Sequence, residues 1–260
     1  MIRKPRNKLI ALGLVIIIID VITTHACAAE CRSWYIRRRG CDRPEFPDDT
    51  DLLSKYNAYY IDETASTTRD KKIYITFDAG YENGNVEKIL NVLRDESVPA
   101  AFFILDNLIY KNPELIVRMN NEGHLVCNHT KNHKNLTSNT KEEIESDLTS
   151  LENVCKEKTG VIMKKYFRYP EGKYSIDSLK HIDELGYKTV FWSFAYADWD
   201  NDCQPSHSSA MKKILDNTHP GEIILLHPTS ATNAEILDDL IHAWREMGYS
   251  FGTLDELTGK

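Results

Sequence analysis

From Lys71 onward, short apolar runs alternate with amphipathic stretches, and that alternation leaves few folds open to the chain. The runs at 73–77, 100–105, 124–127, 166–167, 189–192, 223–226 and 250–253 are too short for helices and read as strands. Between them, segments near 85–96, 113–121, 140–157, 175–185, 208–217 and 233–247 carry apolar residues at helical spacing. In the last of these, Ala234, Leu237, Leu240, Ile241 and Trp244 share one face. Seven strands alternating with six helices imply an α/β fold, a parallel sheet with helices packed outside. The strands are too short to serve a sheet with two exposed faces, so a closed or nearly closed barrel fits. With 260 residues, 42% of them hydrophobic, the chain can bury a full core without staples. No internal repeat is visible.

In a parallel β/α barrel, functional side chains gather where strands end and loops begin. Here Asp78 ends the first strand, His129 and His133 follow the third, Arg168 the fourth, Asp198 and Trp199 the fifth, and His227 ends the sixth. A lone histidine at a strand end is more often structural, but five such ends converging in one barrel reverse that expectation. His129 and His133 lie four residues apart, and on one helical turn two such imidazoles face the same way and can share a metal. Asp78 suits a general base, held ionised by Arg168, and Asp198 suits a partner that orients His227 and raises its pKa, keeping it a general acid. The bland alternative is two buried ion pairs that only close the barrel mouth. Pro170 has no N–H, so Glu171 is the candidate oxyanion donor in that loop. Trp192, Trp199 and Tyr196 suit an apolar wall for sugar rings or acetyl methyl groups, although core packing is the simpler reading for Trp192.

The N-terminus divides from the rest. Basic Arg3, Lys4, Arg6 and Lys8 precede an apolar run of eleven residues at 9–19, then Asp20 and the small-residue stretch Ala26-Cys27-Ala28-Ala29. That is the pattern of an export signal, and the run is short for a bilayer span, so residues 1–28 read as a cleaved signal ahead of a retained anchor that contacts the membrane. A lipid-modified Cys27 fits less well. Either way the folded part lies outside the cytoplasm: extracellular, in the cell wall, or anchored facing outward. Beyond residue 28 the chain has 28 basic and 38 acidic residues, a poor balance for nucleic-acid binding. Arg37-Arg38-Arg39 reads as a solvated run. Residues 29–70 read as a polar, irregular linker and wrap-around arm, with helix between Leu52 and Tyr60. None of the six cysteines forms a C-x-x-C pair, which argues against structural zinc. Cys31 and Cys41 read equally as a local disulfide or as scattered thiols, and Cys127 as a small core residue.

Thr76-Phe-Asp-Ala-Gly80, His129-Thr-Lys-Asn-His133, Arg168-Tyr-Pro-Glu-Gly172, Asp198-Trp199 and Leu225-Leu-His227 follow the order of five motifs of the polysaccharide deacetylases, carbohydrate esterase family 4 with the NodB homology domain. The resemblance covers about residues 71–258. It looks closest to the branch acting on N-acetylmuramic acid in peptidoglycan, on the path to muramic δ-lactam in spore cortex. Thr76–Gly84, Val190-Phe-Trp-Ser193, Asn233-Ala-Glu, Leu237-Asp-Asp239, Leu52-Leu-Ser-Lys-Tyr56 and Tyr59-Tyr60 carry that narrower match.

The resemblance implies a distorted (β/α)7 barrel, a monomer, and metal-assisted hydrolysis of an N-acetyl group on peptidoglycan or a related glycan. It implies Asp78 as base, His227 as acid, Arg168 and Asp198 as their tuning partners, and His129 and His133 as ligands to a divalent cation, zinc in the first instance. Glu171, Trp199, Tyr196 and Tyr81 would contact substrate. Three positions depart from the family pattern. Ala79 stands where most members have a metal-binding aspartate, Tyr169 where proline is frequent, and Lys134 where proline is common. Alanine donates nothing, so two imidazoles make a weaker site than three protein ligands. Two rival functions follow: a catalytically weak glycan-binding module, and a deacetylase of chitin-type or xylan-type polymers.

Overall fold

The structure is a computed structural model that describes residues 30–46, 50–65 and 71–259. The reading of residues 1–28, including Cys27, lies outside the described residues. In chain order the elements are β1 (Arg32–Ser33), β2 (Arg37–Arg39), β3 (Asp42–Glu45), α1 (Thr50–Lys55), β4 (Ala58–Tyr59), β5 (Lys71–Ala79), α2 (Val86–Asp95), β6 (Ala100–Ile104), α3 (Asp106–Lys111) and α4 (Pro113–Asn121). There follow β7 (Leu125–Asn128), α5 (Lys141–Thr159), β8 (Lys164–Phe167), β9 (Lys173–Tyr174), α6 (Ile176–Glu184), β10 (Lys188–Val190), β11 (Phe194–Ala195), α7 (His207–Leu215), β12 (Glu222–Leu226), α8 (Ala231–Glu246), β13 (Tyr249–Phe251) and α9 (Leu254–Leu257). Each of the seven expected strands and six expected helices overlaps an element of its kind.

The main sheet runs β11-β12-β5-β6-β7-β8-β10-β4, all parallel, with β13 beside the first residues of β5. It curls because the segment from β10 to β11 serves both edges: β10 pairs with β8, and β11 pairs with β12. Between them the Ser193 N–H donates to the Ile223 carbonyl. The resulting barrel is distorted, since β4 is inserted beside β10 at the lower end.

Period-two alternation sorts the side chains of β5. Ile73, Ile75, Phe77 and Ala79 belong to the apolar cluster under the helices. Tyr74 joins Ala101, Phe103, Cys127, Tyr166, Val190 and Ile223 in an inner cluster, which Leu254 of α9 adjoins. Thr76 and Asp78 are the polar positions of that inward series. Both faces are therefore dry except at the strand ends. Local signals fix the helices between. In α5, a capping box joins Thr140 and Glu143, and Gly160 at φ 75° closes the far end.

Within the stretch read as linker and wrap-around arm, residues 30–46 and 50–65 carry short strands and a helix that pack on the barrel. The expected helix from Leu52 to Tyr60 stops at Lys55, because Asn57 takes a left-handed conformation (φ 48°) and the chain turns into β4. There the Phe191 N–H donates to the Tyr59 carbonyl at 2.7 Å, and the Asp62 N–H donates to Gly221 at 2.9 Å. Trp34 stacks between Phe46 and Phe191, with ring centres 4.5 and 4.2 Å away. The polar composition hid this because a few aromatic residues carry the packing. Cys31 and Cys41 are free thiols, so the disulfide reading is set aside, and Cys127 is buried as expected.

Candidate active site

At the C-terminal ends of β5, β7, β8, β11 and β12 the chain opens a cavity of about 540 Å³. Asp78, His129, His133, Glu171, Tyr81, Tyr196, Trp199 and His227 line it, so eight of the ten expected site residues meet there. The other two, Arg168 and Asp198, lie buried behind the wall and touch its titratable groups.

Arg168 is fully buried and makes four hydrogen bonds. Its Nη1 donates to Asp78 Oδ1 at 2.9 Å, its Nη2 to Thr76 Oγ1 at 2.9 Å and to the Phe191 carbonyl at 3.2 Å, and its Nε to the Val190 carbonyl at 2.8 Å. The guanidinium also lies over the Phe103 ring, 4.2 Å from its centre. Burial alone would raise the Asp78 carboxyl, but the positive charge of its neighbours (His129 where it is protonated, with Arg168 and His227) outweighs it and holds the group below its ordinary value. Arg168 is the charge among them that persists at every working pH.

His129 is buried, and its Nδ1–H donates to the Arg168 carbonyl at 2.8 Å. A carbonyl only accepts, so this bond fixes the tautomer and leaves the Nε2 lone pair facing Asp78 Oδ2 at 3.4 Å. Burial pushes its pKa down to about 4, so the ring is neutral near pH 7. His133 lies edge-on to it, ring centres 5.1 Å apart.

The helical turn expected for this pair is absent. Residues 129–136 form a loop in which Thr130 (φ 68°) and His133 (φ 55°) are left-handed. Side chains hold it: Thr130 N–H donates to Asn128 Oδ1 at 3.0 Å, Lys131 N–H to Asp147 Oδ1 at 2.9 Å, and Lys134 N–H to Thr130 Oγ1 at 3.1 Å. A proline at 134 would lack that last donor, so the Lys134 departure changes how the loop is closed.

His227 is held from the opposite side. Its Nδ1 meets Asp198 Oδ1 at 2.7 Å, and its backbone N–H donates to Asp198 Oδ2 at 2.8 Å. Burial would lower the imidazole pKa, but the Asp198 carboxylate outweighs it and the net shift is upward. Asn233, which the sequence did not suggest as a site residue, donates to Asp198 Oδ2 at 2.6 Å and to the His227 carbonyl at 3.1 Å. It also accepts from the Tyr196 hydroxyl. The available signals were the Asn233-Ala-Glu match and a polar residue early in an otherwise apolar helix face. Tyr196 is consequently buried and tethered, presenting the cavity with ring rather than hydroxyl.

Glu171 sits in a short turn after β8 with left-handed backbone (φ 55°), and its carboxylate pairs with Lys173 at 2.6 Å. Trp199 is 61% exposed and Tyr81 41%, so both present open ring faces at the cavity rim. Trp192 is half-buried and lines the same cavity.

Two neighbouring imidazoles, one with its tautomer locked by a backbone carbonyl, are the donor chemistry of a divalent-cation site. The fit is to two protein nitrogens with Asp78 beside them. Ala79 is fully buried among the apolar residues outside the barrel and does not line the cavity. Among the described residues, only Glu96, Asp238 and His242 bring three such donor atoms within 4.8 Å of one another. That group lies on the surface, and Arg245 already pairs with Glu96.

Comparison with known proteins narrows the reading. The family model described as polysaccharide deacetylase matches residues 65–190. The chain is 40% identical over 206 residues to the peptidoglycan-N-acetylmuramic acid deacetylase PdaA of Bacillus subtilis, covering 79% of this chain and 77% of that protein. The solved structure of B. subtilis PdaA, a family 4 carbohydrate esterase, superposes with a TM-score of 0.82 at 38% identity over 88% of this chain and 97% of that one. A mutant of a Bacillus anthracis CE4 family pseudoenzyme, with restored enzymatic activity, matches with a TM-score of 0.69 at 25% identity, over 77% of this chain and 71% of that one.

Proposed function

The chain belongs to the polysaccharide deacetylase family, and from that premise we propose that it is a hydrolase removing the acetyl group from an N-acetylated amino sugar of peptidoglycan, N-acetylmuramic acid in the first instance. One observation carries the reading: Asp78 backed by Arg168 and His227 backed by Asp198 face one cavity rimmed by Tyr81 and Trp199. The same reading places the protein outside the cytoplasm, with residues 1–28 as its export signal and the δ-lactam route as the fate of the product.

Asp78, kept ionised, takes a proton from the attacking water. His129 and His133 would hold a divalent cation, zinc by preference, which would supply Lewis acidity toward the acetyl carbonyl. The Glu171 N–H is the candidate donor to the oxyanion as it forms. His227, protonated and fixed by Asp198, delivers a proton to the departing amine. Trp199 and Tyr81 hold the sugar, and Tyr196 gives the acetyl methyl an apolar surface.

The direct test is acetate release from glycan strands containing N-acetylmuramic acid, measured across added zinc. Release from chitin or xylan polymers alone would move the protein to another substrate. A second reading, a glycan-binding module, is favoured by Ala79, which removes one donor from the cation site. Binding without release at every zinc concentration would select it.

A sharper prediction concerns pH. His227 must be protonated to act as an acid, and Asp198 raises its pKa, so activity is retained up to a higher pH than an ordinary imidazole allows. Asp198→Asn removes the charge, and whichever way the amide turns its NH2 takes the place of an oxygen: Oδ2, which accepts from the His227 backbone N–H and the Asn233 amide, or Oδ1, which meets His227 Nδ1. The alkaline limb of kcat/KM is expected to move down by about one pH unit or more. An unmoved limb would remove His227 from the role of acid.

A further inference from the structure

The catalytic cavity does not end at Trp199. A second groove of about 310 Å³ shares Trp192, Ala195, Tyr196 and Trp199 with it and is completed by Tyr35, Ile36 and Arg38 from the N-terminal arm. The two share one wall, and the Trp199 ring that lines both lies 6.2 Å from the His227 ring, centre to centre. We propose that the N-terminal arm builds a second glycan subsite, where Tyr35 and Trp199 stack a sugar next to the one being deacetylated and Arg38 pairs with a carboxylate substituent of the glycan. The proposal rests on the deacetylase reading for its ligand class.

Three observations support it. Tyr35 is 54% exposed, so both aromatic faces of the groove are open to a pyranose ring. Arg38 is held in place by the Ala195 carbonyl and by the Phe194 ring at 5.0 Å, which leaves most of its five N–H donors for a ligand. Its neighbours are committed elsewhere: Arg39 pairs with Glu45 and Arg43 with Glu63, whereas among the described residues Arg38 has no carboxylate partner within 4.0 Å. The chain carries a net charge of −7 and would repel an acidic glycan overall. A fixed cation beside the catalytic mouth counters that repulsion where it matters and favours an acidic glycan over a neutral one.

The test reads affinity by calorimetry on the full chain carrying Asp78→Asn, which binds without turning over. Two probes of equal length are compared: an alternating N-acetylglucosamine and N-acetylmuramic acid strand, and a chitin oligomer. Adding Arg38→Gln is expected to weaken the acidic strand about tenfold and to shift the ratio of the two dissociation constants by the same factor. Equal weakening of both probes would reveal a structural role, and no change would empty the groove of acidic glycan; either overturns the proposal, as does failure of both probes to bind. Tyr35→Ala is expected to weaken both probes, and unchanged affinity would overturn the stacking. Acetate release by the unmutated chain is read separately. Its absence would sink the deacetylase reading, while a shifted affinity ratio would still establish the subsite.

Discussion

Asp78→Asn is expected to lower acetate release from N-acetylmuramic acid-containing glycan by about 10²- to 10⁴-fold, with the fold retained, and His227→Ala by a similar factor. Asparagine matches aspartate in shape but cannot accept the proton. Its effect on stability is limited by the rest of the Arg168 shell. The guanidinium keeps Thr76, Val190 and Phe191 as acceptors after losing one carboxylate oxygen. The loss still leaves a buried charge less well compensated, so a modest fall in melting temperature accompanies the loss of rate. His227→Ala removes a side chain at the cavity wall and leaves Asp198 with the Asn233 amide and the backbone N–H of residue 227. Because base and acid act on one bond in one sequence, the double variant is expected to fall little below the worse single variant. Full acetate release by either variant would dismiss the assigned roles, and multiplicative losses would mean that the two groups act independently of each other.

The site was legible because it sits at strand ends, and strand ends are where alternation stops. Asp78 is the last inward residue of β5, and His227 immediately follows β12. Period and order alone therefore placed them at one rim. The loop carrying His129 and His133 was less legible. Spacing of four suggests a helix, but the bonds that set Thr130 and His133 left-handed come from Asn128 and Asp147, the second sixteen residues away from the N–H it accepts. No local pattern encodes that. Asn233 was missed for a related reason: its value lies in three partners drawn from other elements, and a single polar residue in a helix offers no hint of them. Helix α3 was passed over because six residues leave too little periodicity to register. Ala79 shows the opposite case. The missing carboxylate was plain in the sequence, and the structure adds that Ala79 is buried in the helix-side core, so the proposed cation site would draw on the two imidazoles alone.

The arm carries the second large effect. Trp34→Ala is expected to cost about 3–5 kcal/mol, enough to lower the melting temperature by roughly 10 °C in a chain of this size. Trp34 is 6% exposed, and its indole does two things at once. It stacks between Phe46 and Phe191, and its Nε1–H donates to the Trp192 carbonyl at 3.0 Å, while the residue's backbone N–H, which alanine would keep, donates to the Gly172 carbonyl at 2.8 Å. Beside it, β1 pairs antiparallel with β9, directly after the turn that carries Glu171. A methyl group on Gly172 would come within 2.7 Å of Trp34 and 2.9 Å of Trp192, so the turn is clamped rather than merely covered. Phe191 in turn supplies a carbonyl to Arg168. Removing the indole thus loosens the Glu171 turn and the backing of Asp78 together, and kcat is expected to fall at temperatures well below the melt. Trp34→Phe keeps the stack but loses the N–H donor, at about 1 kcal/mol, and should restore most of the rate. Unchanged kcat in a folded Trp34→Ala protein would reduce the arm to a cover. The same contacts bear on where the catalytic unit begins. A chain trimmed to residues 71–258 would keep the five motifs yet lose Trp34, Phe46 and the β4 pairing with β10, and it is expected to fold poorly or not at all.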